Sequence, residues 1–593
     1  MTRTPLRPLA RVLPARDRGE NPDSIERENI RLRHEAMRDR ARLRAEGRLL
    51  LLGCAFILGF ALVGFRMAVL AASEPTEPRI AASGAQIQAQ RADITDRNGR
   101  VLATNLGTHA LYAHPRDLID PARTAQVLAG LFPELDAERL HRQFTDGRSF
   151  MWLRRKLSPE QMQAVHEIGE PGLLFGPREM RLYPNGRLAA HVLGGASFGT
   201  EGVHSAEVIG VAGIERALDE RLRDPARLDE PLVTSLDLTI QAVVAEVLGA
   251  GMRLLNAKGA AAIVMDAHTG EIVAMVSLPD FDPNDRPRPP TEGEPGDSPL
   301  FNRALQGVYE LGSVMKIFPA AQALELGLVN PATMIDTRGP MTLGRFRVRD
   351  FRNYGPENSV RDVIVKSSNI GSARLAQMIG ATRQQAFLQL MGFLEPTAIE
   401  MVEAPGARPI LPPRWSDIHS ATISYGHGLS ASPMHLASAY AALVNGGYRV
   451  EPTLLRRDTP PARERIISAR TSAQVRDMLR SVVTEGTARM ADVPGYAVGG
   501  KTGTADKTRP EGGYYKDRVM ANFAGAFPMH DPRYVVVISL DEPVETSGTE
   551  ARRTAGWTAA PVMGEVVRRI APLLGELPVI ETVVPDGITP VRN

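Results

Sequence analysis

The sequence predicts a multi-domain chain of mixed α and β structure, tethered by one apolar N-terminal helix. Three observations predict it. The first is an uncharged run from Leu49 to Phe65. The second is size: 593 residues, 43% of them apolar, leave room for two to four well-cored domains. The third is a change of pattern near residue 231, where short ordered patches give way to longer strands and apolar helices. A formal charge of +2 gives no sign of a nucleic-acid partner, and the single cysteine, Cys54, excludes an internal disulfide or a cysteine-based metal site.

Residues 1–48 carry 13 arginines against 8 carboxylates. Residues 1–23, with scattered Pro and Arg, read as disordered, and Ser24 to Arg48 as a solvated Arg-rich helix able to touch acidic lipid or a partner. Leu49 to Ala72, with Arg66 snorkelling, is long enough at ~36 Å to cross a hydrocarbon core of ~30 Å. A cleaved signal peptide is the rival, since Leu70-Ala71-Ala72 faintly resembles a cleavage site. The charged stretch before the apolar run is far longer than a signal's n-region, which favours an uncleaved single-pass anchor. Positive flanks stay in the cytoplasm, so 1–48 is expected to be a cytoplasmic tail, 49–72 a transmembrane helix and the rest outside.

Glu74 to Gly84, with Pro75 and Pro78, reads as a linker. Asn98-Gly99 between strand-like runs predicts a hairpin, because both residues tolerate positive φ. Nothing between residues 75 and 230 groups a nucleophile with a base, so 73–230 reads as a structural or docking domain. Beyond it, Asp237 starts a helix through Leu254, and Ala260 to Met265 and Glu271 to Leu278 are strands around the turn Asp266 to Gly270. Pro279 to Pro299 holds seven prolines and reads as a loop. Pro319 is expected to bend the helix that follows Ser313. Ser359 caps another helix, with Asp362 at its third position. Pro433 to Val444 is a long helix, Phe523 to Phe527 and Tyr534 to Leu540 are strands, Asp506 to Asp517 is a polar loop, and Ala559 to Leu574 a closing helix. Residues 231–580 form this second domain, and 581–593 an untethered end.

Three short motifs lie in that second domain. Ser313 and Lys316, three positions apart, share a helix face, and a serine hydroxyl becomes a strong nucleophile when a neighbour takes its proton. Gly312 leaves room at the turn, and the helix N-terminus favours developing negative charge at Ser313. Ser367-Ser368-Asn369 sits on a break between helices. Gly499-Gly500-Lys501-Thr502-Gly503-Thr504 reads as a strand whose glycines let a substrate backbone approach, with Lys501 and Thr502 offering a cation and a hydroxyl. Each motif alone also occurs by chance on ordinary surfaces. His427, between Gly426 and Gly428, reads as a structural or loop-lining residue.

S-x-x-K, S-x-N and K-T-G, in that order, resemble the motif set of penicillin-binding proteins and serine β-lactamases. The wider chain, from about residue 49 to about 575, resembles the class B penicillin-binding proteins. Arg91 to Ala103 and Gly213-Ile214-Glu215 are similar to their pedestal signatures, and Tyr309 to Ser313 to their nucleophile approach, with Leu311 where many members have Pro. Gly500 to Ala505, Asp541-Glu542-Pro543 and Gly556 to Pro561 are most similar to the division-specific, septal member. The resemblance implies an α+β pedestal (dimerisation-type) domain, then an α/β transpeptidase domain with a central antiparallel sheet flanked by helices. It implies a peptidoglycan D,D-transpeptidase of the inner membrane with a periplasmic catalytic domain. Its substrates would be stem peptides ending in D-Ala-D-Ala, and its inhibitors β-lactams. It also implies partnership with a membrane glycan polymerase and other division proteins, since no glycosyltransferase region precedes the pedestal. No metal or organic cofactor is implied.

By the same resemblance Ser313 is the nucleophile and Lys316 its proton acceptor. Ser367 relays the proton and Asn369 holds the substrate amide and Lys316. Lys501, Thr502, Gly503 and Thr504 bind substrate, and the backbone N–H groups of Ser313 and Thr504 form the oxyanion hole. An elongation-specific transpeptidase, a β-lactamase, a penicillin-sensing receptor and a non-catalytic division scaffold stand as alternatives. Against a β-lactamase, no Glu-x-x-x-Asn lies between Asn369 and Lys501, and the second motif is neither the Tyr-headed nor the S-x-V type. Against a receptor, residues 1–48 are too short for an effector domain.

Overall fold

The structure is a computed structural model that describes residues 14–72, 90–201, 206–344, 346–459, 461–509 and 511–579. The expected linker over Glu74 to Gly84 and the expected free end over 581–593 lie outside the described residues. The chain forms two compact units, Met1–Gln86 and Ile87–Asn593. The long helix of the first, α1 (Pro22–Ala72), is continuous through both the Arg-rich stretch and the apolar run. Leu51, Phe56, Ile57, Leu58, Phe60, Leu62 and Phe65 on it are all exposed. Among the described residues, no helix is long and apolar enough to cross a membrane.

The second unit begins with a sheet built from β1 (Ile94–Thr95), β2 (Val101–Ala113), β3 (Met151–Leu157), β4 (Leu173–Leu182) and β5 (Leu232–Val233). The Asn98-Gly99 turn is present between β1 and β2. Gly99 takes φ +83, and the Asp96 carboxylate accepts from Asn98 N (2.8 Å) and Arg100 N (2.9 Å). Beneath it lies a buried ion cluster. Arg91 donates to Glu215 (2.8 Å), Asp219 (2.6 Å) and the Val208 carbonyl (3.0 Å), while Arg181 donates to the other Glu215 oxygen (2.7 Å). This accounts physically for the two pedestal signatures: they supply opposite halves of one charge pair. Both partners of the Arg91–Glu215 pair are fully buried, so each carries a desolvation cost that this network of partners must offset.

Helix α2 (Leu238–Leu254) starts at Asp237, whose carboxylate accepts from Thr239 N and Ile240 N as an N-cap. Five antiparallel strands follow: β6 (Gly259–Asp266), β7 (Ile272–Leu278), β8 (Gly499–Thr508), β9 (Tyr514–Phe527) and β10 (Tyr534–Asp541), in the spatial order β8-β9-β10-β6-β7. Every residue of β10 is buried, as a central strand covered on both faces requires. The closing helix, Ala559–Leu573, packs on α2 and on the sheet, and Pro433–Val444 packs on the sheet as well. One core runs from Ile94, Leu102 and Ile214 into the sheet, joining the N-terminal sheet to the larger one.

Two expectations change. The polar stretch 506–517 is largely strand, with Asp506 paired to Val519 and Thr508 to Tyr514. Both faces of this hairpin arm are largely exposed, so it carries no apolar alternation to betray it. Ser313 and Lys316 lie on a 3₁₀ turn, Gly312–Lys316, and the α-helix proper is Ile317–Glu325. Pro319 therefore falls in its first turn, where an N–H has no intrahelical acceptor, and it starts the helix instead of bending it.

Candidate active site

Strand β8 is an edge strand, and the Ser313 turn lies against it. Gly503 makes that approach possible: a Cβ there would stand 2.5 Å from the Leu311 carbonyl oxygen and 3.0 Å from Val314 N. Gly312, at φ +66, meets the Thr504 backbone on the other side. Two buried side chains pin the turn further. Tyr440 donates its hydroxyl to the Val314 carbonyl (2.8 Å), and Asn522 of β9 donates to the Leu311 carbonyl (3.2 Å). The glycines of β8 thus serve the protein's own packing, since Cβ atoms at Gly499 and Gly500 would strike Met529 and Phe523. The sequence reading had assigned that space to substrate.

A cleft of about 690 Å³ opens over this turn, lined by Ser313, Lys316, Ser367, Asn369, Thr502 and Thr504 among others. Lys316 is buried, and its Nζ donates to the Ser367 carbonyl (2.5 Å) and meets the Ser367 hydroxyl (3.0 Å). Lys501 is fully buried behind the cleft wall and donates to the same Ser367 hydroxyl (2.9 Å) and to the Thr502 carbonyl (3.1 Å). Burial, then the neighbouring Lys501 charge, holds the Lys316 pKa well below its ordinary value, while Asp350 pulls the other way. Burial alone brings Lys501 down to about 7.

Ser367 bridges the two amines from a left-handed backbone, φ +63, a conformation that costs a non-glycine residue roughly 1–2 kcal/mol. Asp350 holds that turn. Its carboxylate accepts from Ser368 Oγ (2.7 Å), Asn369 N (2.5 Å) and Ile370 N (3.1 Å), capping the helix Asn369–Ile379. The Asn369 amide donates to the Arg349 carbonyl (2.8 Å). The hydroxyl of Thr502 meets that of Thr487 (2.8 Å), and Thr504 Oγ1 accepts from Ala555 N (3.0 Å).

Sequence reasoning therefore found the six cleft-lining motif residues, while Lys501 and Gly503 stand behind the wall. It missed Asp350, Tyr440, Thr487 and Asn522, which act through hydrogen bonds from segments outside the three motifs. His427 also lines the cleft. Its Nδ1 lies 2.8 Å from Glu310 Oε2. A carboxylate two residues before the Gly312 turn was the available signal.

Residues 260–566 match the family described as the penicillin binding protein transpeptidase domain, and residues 86–228 the penicillin-binding protein dimerisation domain. The chain is 37% identical over 502 residues to the probable peptidoglycan D,D-transpeptidase FtsI of Caulobacter vibrioides, covering 82% of each. It is 27% identical over 506 residues to the peptidoglycan D,D-transpeptidase FtsI of Escherichia coli, covering 81% of this chain and 83% of that one. Penicillin binding protein 3 of Mycobacterium tuberculosis, solved with ampicillin, aligns at a TM-score of 0.64 and 27% identity, over 84% of this chain and 98% of that one. With both domains matched in order, the chain belongs to the class B penicillin-binding proteins, in the group of the division-specific peptidoglycan D,D-transpeptidases.

Proposed function

We propose that this chain cross-links peptidoglycan during septation, through an acyl-enzyme on Ser313. The observation that carries the reading is Lys316: a buried amine of depressed pKa, one turn from Ser313 and bound to Ser367. An uncharged amine is a proton acceptor, and burial shifts Lys316 toward that form. Lys316 takes the Ser313 proton as Oγ attacks the penultimate D-Ala carbonyl of a stem peptide. Ser367, touching both amines, passes a proton to the departing D-Ala nitrogen. The backbone N–H groups of Ser313 and Thr504 hold the oxyanion, each donor worth roughly 3–4 kcal/mol. The hydroxyls of Thr502 and Thr504 receive the substrate carboxylate, with Lys501 supplying positive charge from behind. An amine of a second stem peptide then takes the acyl group and frees Ser313.

A β-lactam enters the same route, and its acyl-enzyme persists. The reading places the catalytic domain in the periplasm, held by the helix of residues 49–72, and leaves glycan polymerisation to a separate membrane partner. The exposed apolar side chains of residues 51–67 support the anchor, because in water they would leave a helix with apolar surface all round. Labelling with a fluorescent penicillin tests the site. The parent protein labels, Ser313→Ala stays dark, and labelling of Ser313→Ala at another residue rejects the assignment.

A further inference from the structure

We propose that His427, oriented by Glu310, is the base that deprotonates the incoming acceptor amine in the second half of the reaction. The inference rests on the transpeptidase reading of the cleft. Gly312 N donates to the Gly426 carbonyl (3.1 Å), and a Cβ at Gly426 would lie 2.4 Å from the Gly312 Cα. The next residue on each segment is Ser313 on one and His427 on the other, and both line the same cleft. Tyr309 and Glu310 pair in register with Ala431 and Ser430, which fixes the two segments side by side.

Glu310 is built to hold the ring. Its Oε2 meets His427 Nδ1 at 2.8 Å, and its Oε1 accepts from Gly428 N (2.7 Å) and the Tyr514 hydroxyl (3.1 Å). Burial pushes the Glu310 carboxyl up, but the hydrogen bonds from His427, Gly428 and Tyr514 outweigh it and keep the group ionised. An ionised partner at Nδ1 fixes the tautomer with the proton there, which leaves Nε2 as a lone-pair acceptor. The rings of Tyr425 and Tyr514 flank the imidazole edge-on, and Asp506 is the other carboxylate near it. Lys366, Arg352 and Arg489 are the cations elsewhere on the cleft lining, beside the buried amine of Lys316.

The acceptor arrives as an ammonium and cannot attack until it loses a proton. His427 Nε2 takes that proton and later releases it to solvent. The neutral amine then forms the C–N bond, the ester C–O bond breaks, and the second amine proton reaches Ser313 Oγ through Lys316 and Ser367. Lys316, bound to the Ser367 carbonyl and hydroxyl, serves the proton that returns to Ser313, and the first proton loss falls to His427.

The test uses full-length protein in detergent, an acyl-D-alanyl thioester as donor, and two acceptors: D-alanine, an ammonium at neutral pH, and hydroxylamine, already neutral there. His427→Gln is expected to lose roughly 100-fold in transfer to D-alanine and to retain transfer to hydroxylamine. Equal loss with both acceptors, or loss with neither, overturns the inference. Failure of the parent to be acylated by penicillin would instead reject the transpeptidase reading itself.

Discussion

Two buried amines share the Ser367 hydroxyl, and both cannot hold their protons cheaply in so little space. Acylation by a β-lactam is therefore expected to fall as pH drops through the depressed Lys316 pKa and to recover above it. A pH profile of acylation rate checks this, and Lys316→Ala should abolish the rate at every pH. Lys501 has the same sign with respect to stability. Its folded pKa of about 7 lies below the unfolded lysine value of about 10.4. Below about pH 7 both states are protonated and the cost of burying the ammonium is fully present. Between the two values the unfolded chain binds the extra proton, so stability rises with pH. Lys501→Met should flatten that rise, measured as thermal midpoint against pH. The Arg91–Glu215–Arg181 cluster makes a separate prediction. Glu215→Ala leaves the buried Arg181 guanidinium without its carboxylate and Arg91 with Asp219 alone, and should cost about 3–5 kcal/mol in denaturant unfolding.

The nucleophile turn works only because β8 lets it come close. Gly503→Ala puts a Cβ 2.5 Å from the Leu311 carbonyl, so the turn must move. Acylation should fall roughly 100-fold while the fold stays intact, since small misplacements of reacting groups cost about that much. Much of this layer was legible in the sequence. Asp237 and Ser359 announced helix starts, and the structure shows each side chain accepting from the first-turn backbone. Asn98-Gly99 announced its hairpin. The 3₁₀ geometry at Ser313 was not legible, because it follows from contact with Thr504, some 190 residues away in sequence. Nor was the burial of Lys501, since a lysine on an edge strand reads as exposed until its neighbours are known. Asp350 and Tyr440 were hidden for the same reason: each acts through hydrogen bonds to another segment and belongs to no local motif.

At the scale of the whole molecule, a catalytic unit with its own core follows a helix whose apolar side chains face outward. Full-length protein should sediment with membranes and resist alkaline extraction; recovery in the aqueous fraction without detergent would reject the anchor. The core that joins Ile94, Leu102 and Ile214 to the central sheet means that these elements should unfold together, while Leu111, Phe132 and Leu173 belong to a separate core. The fate of the acyl-enzyme separates a transpeptidase from a hydrolase of the same motif set. Hydrolysis needs a base that aims water at the ester, and His427 is placed in this account to serve an amine. The most direct measurement is intact-mass and peptide mass spectrometry of the full-length protein after exposure to excess penicillin. The account predicts one covalent equivalent, located on Ser313 and released only slowly. An adduct on any other residue, or sustained hydrolysis of many equivalents with the protein recovered unmodified, would contradict it.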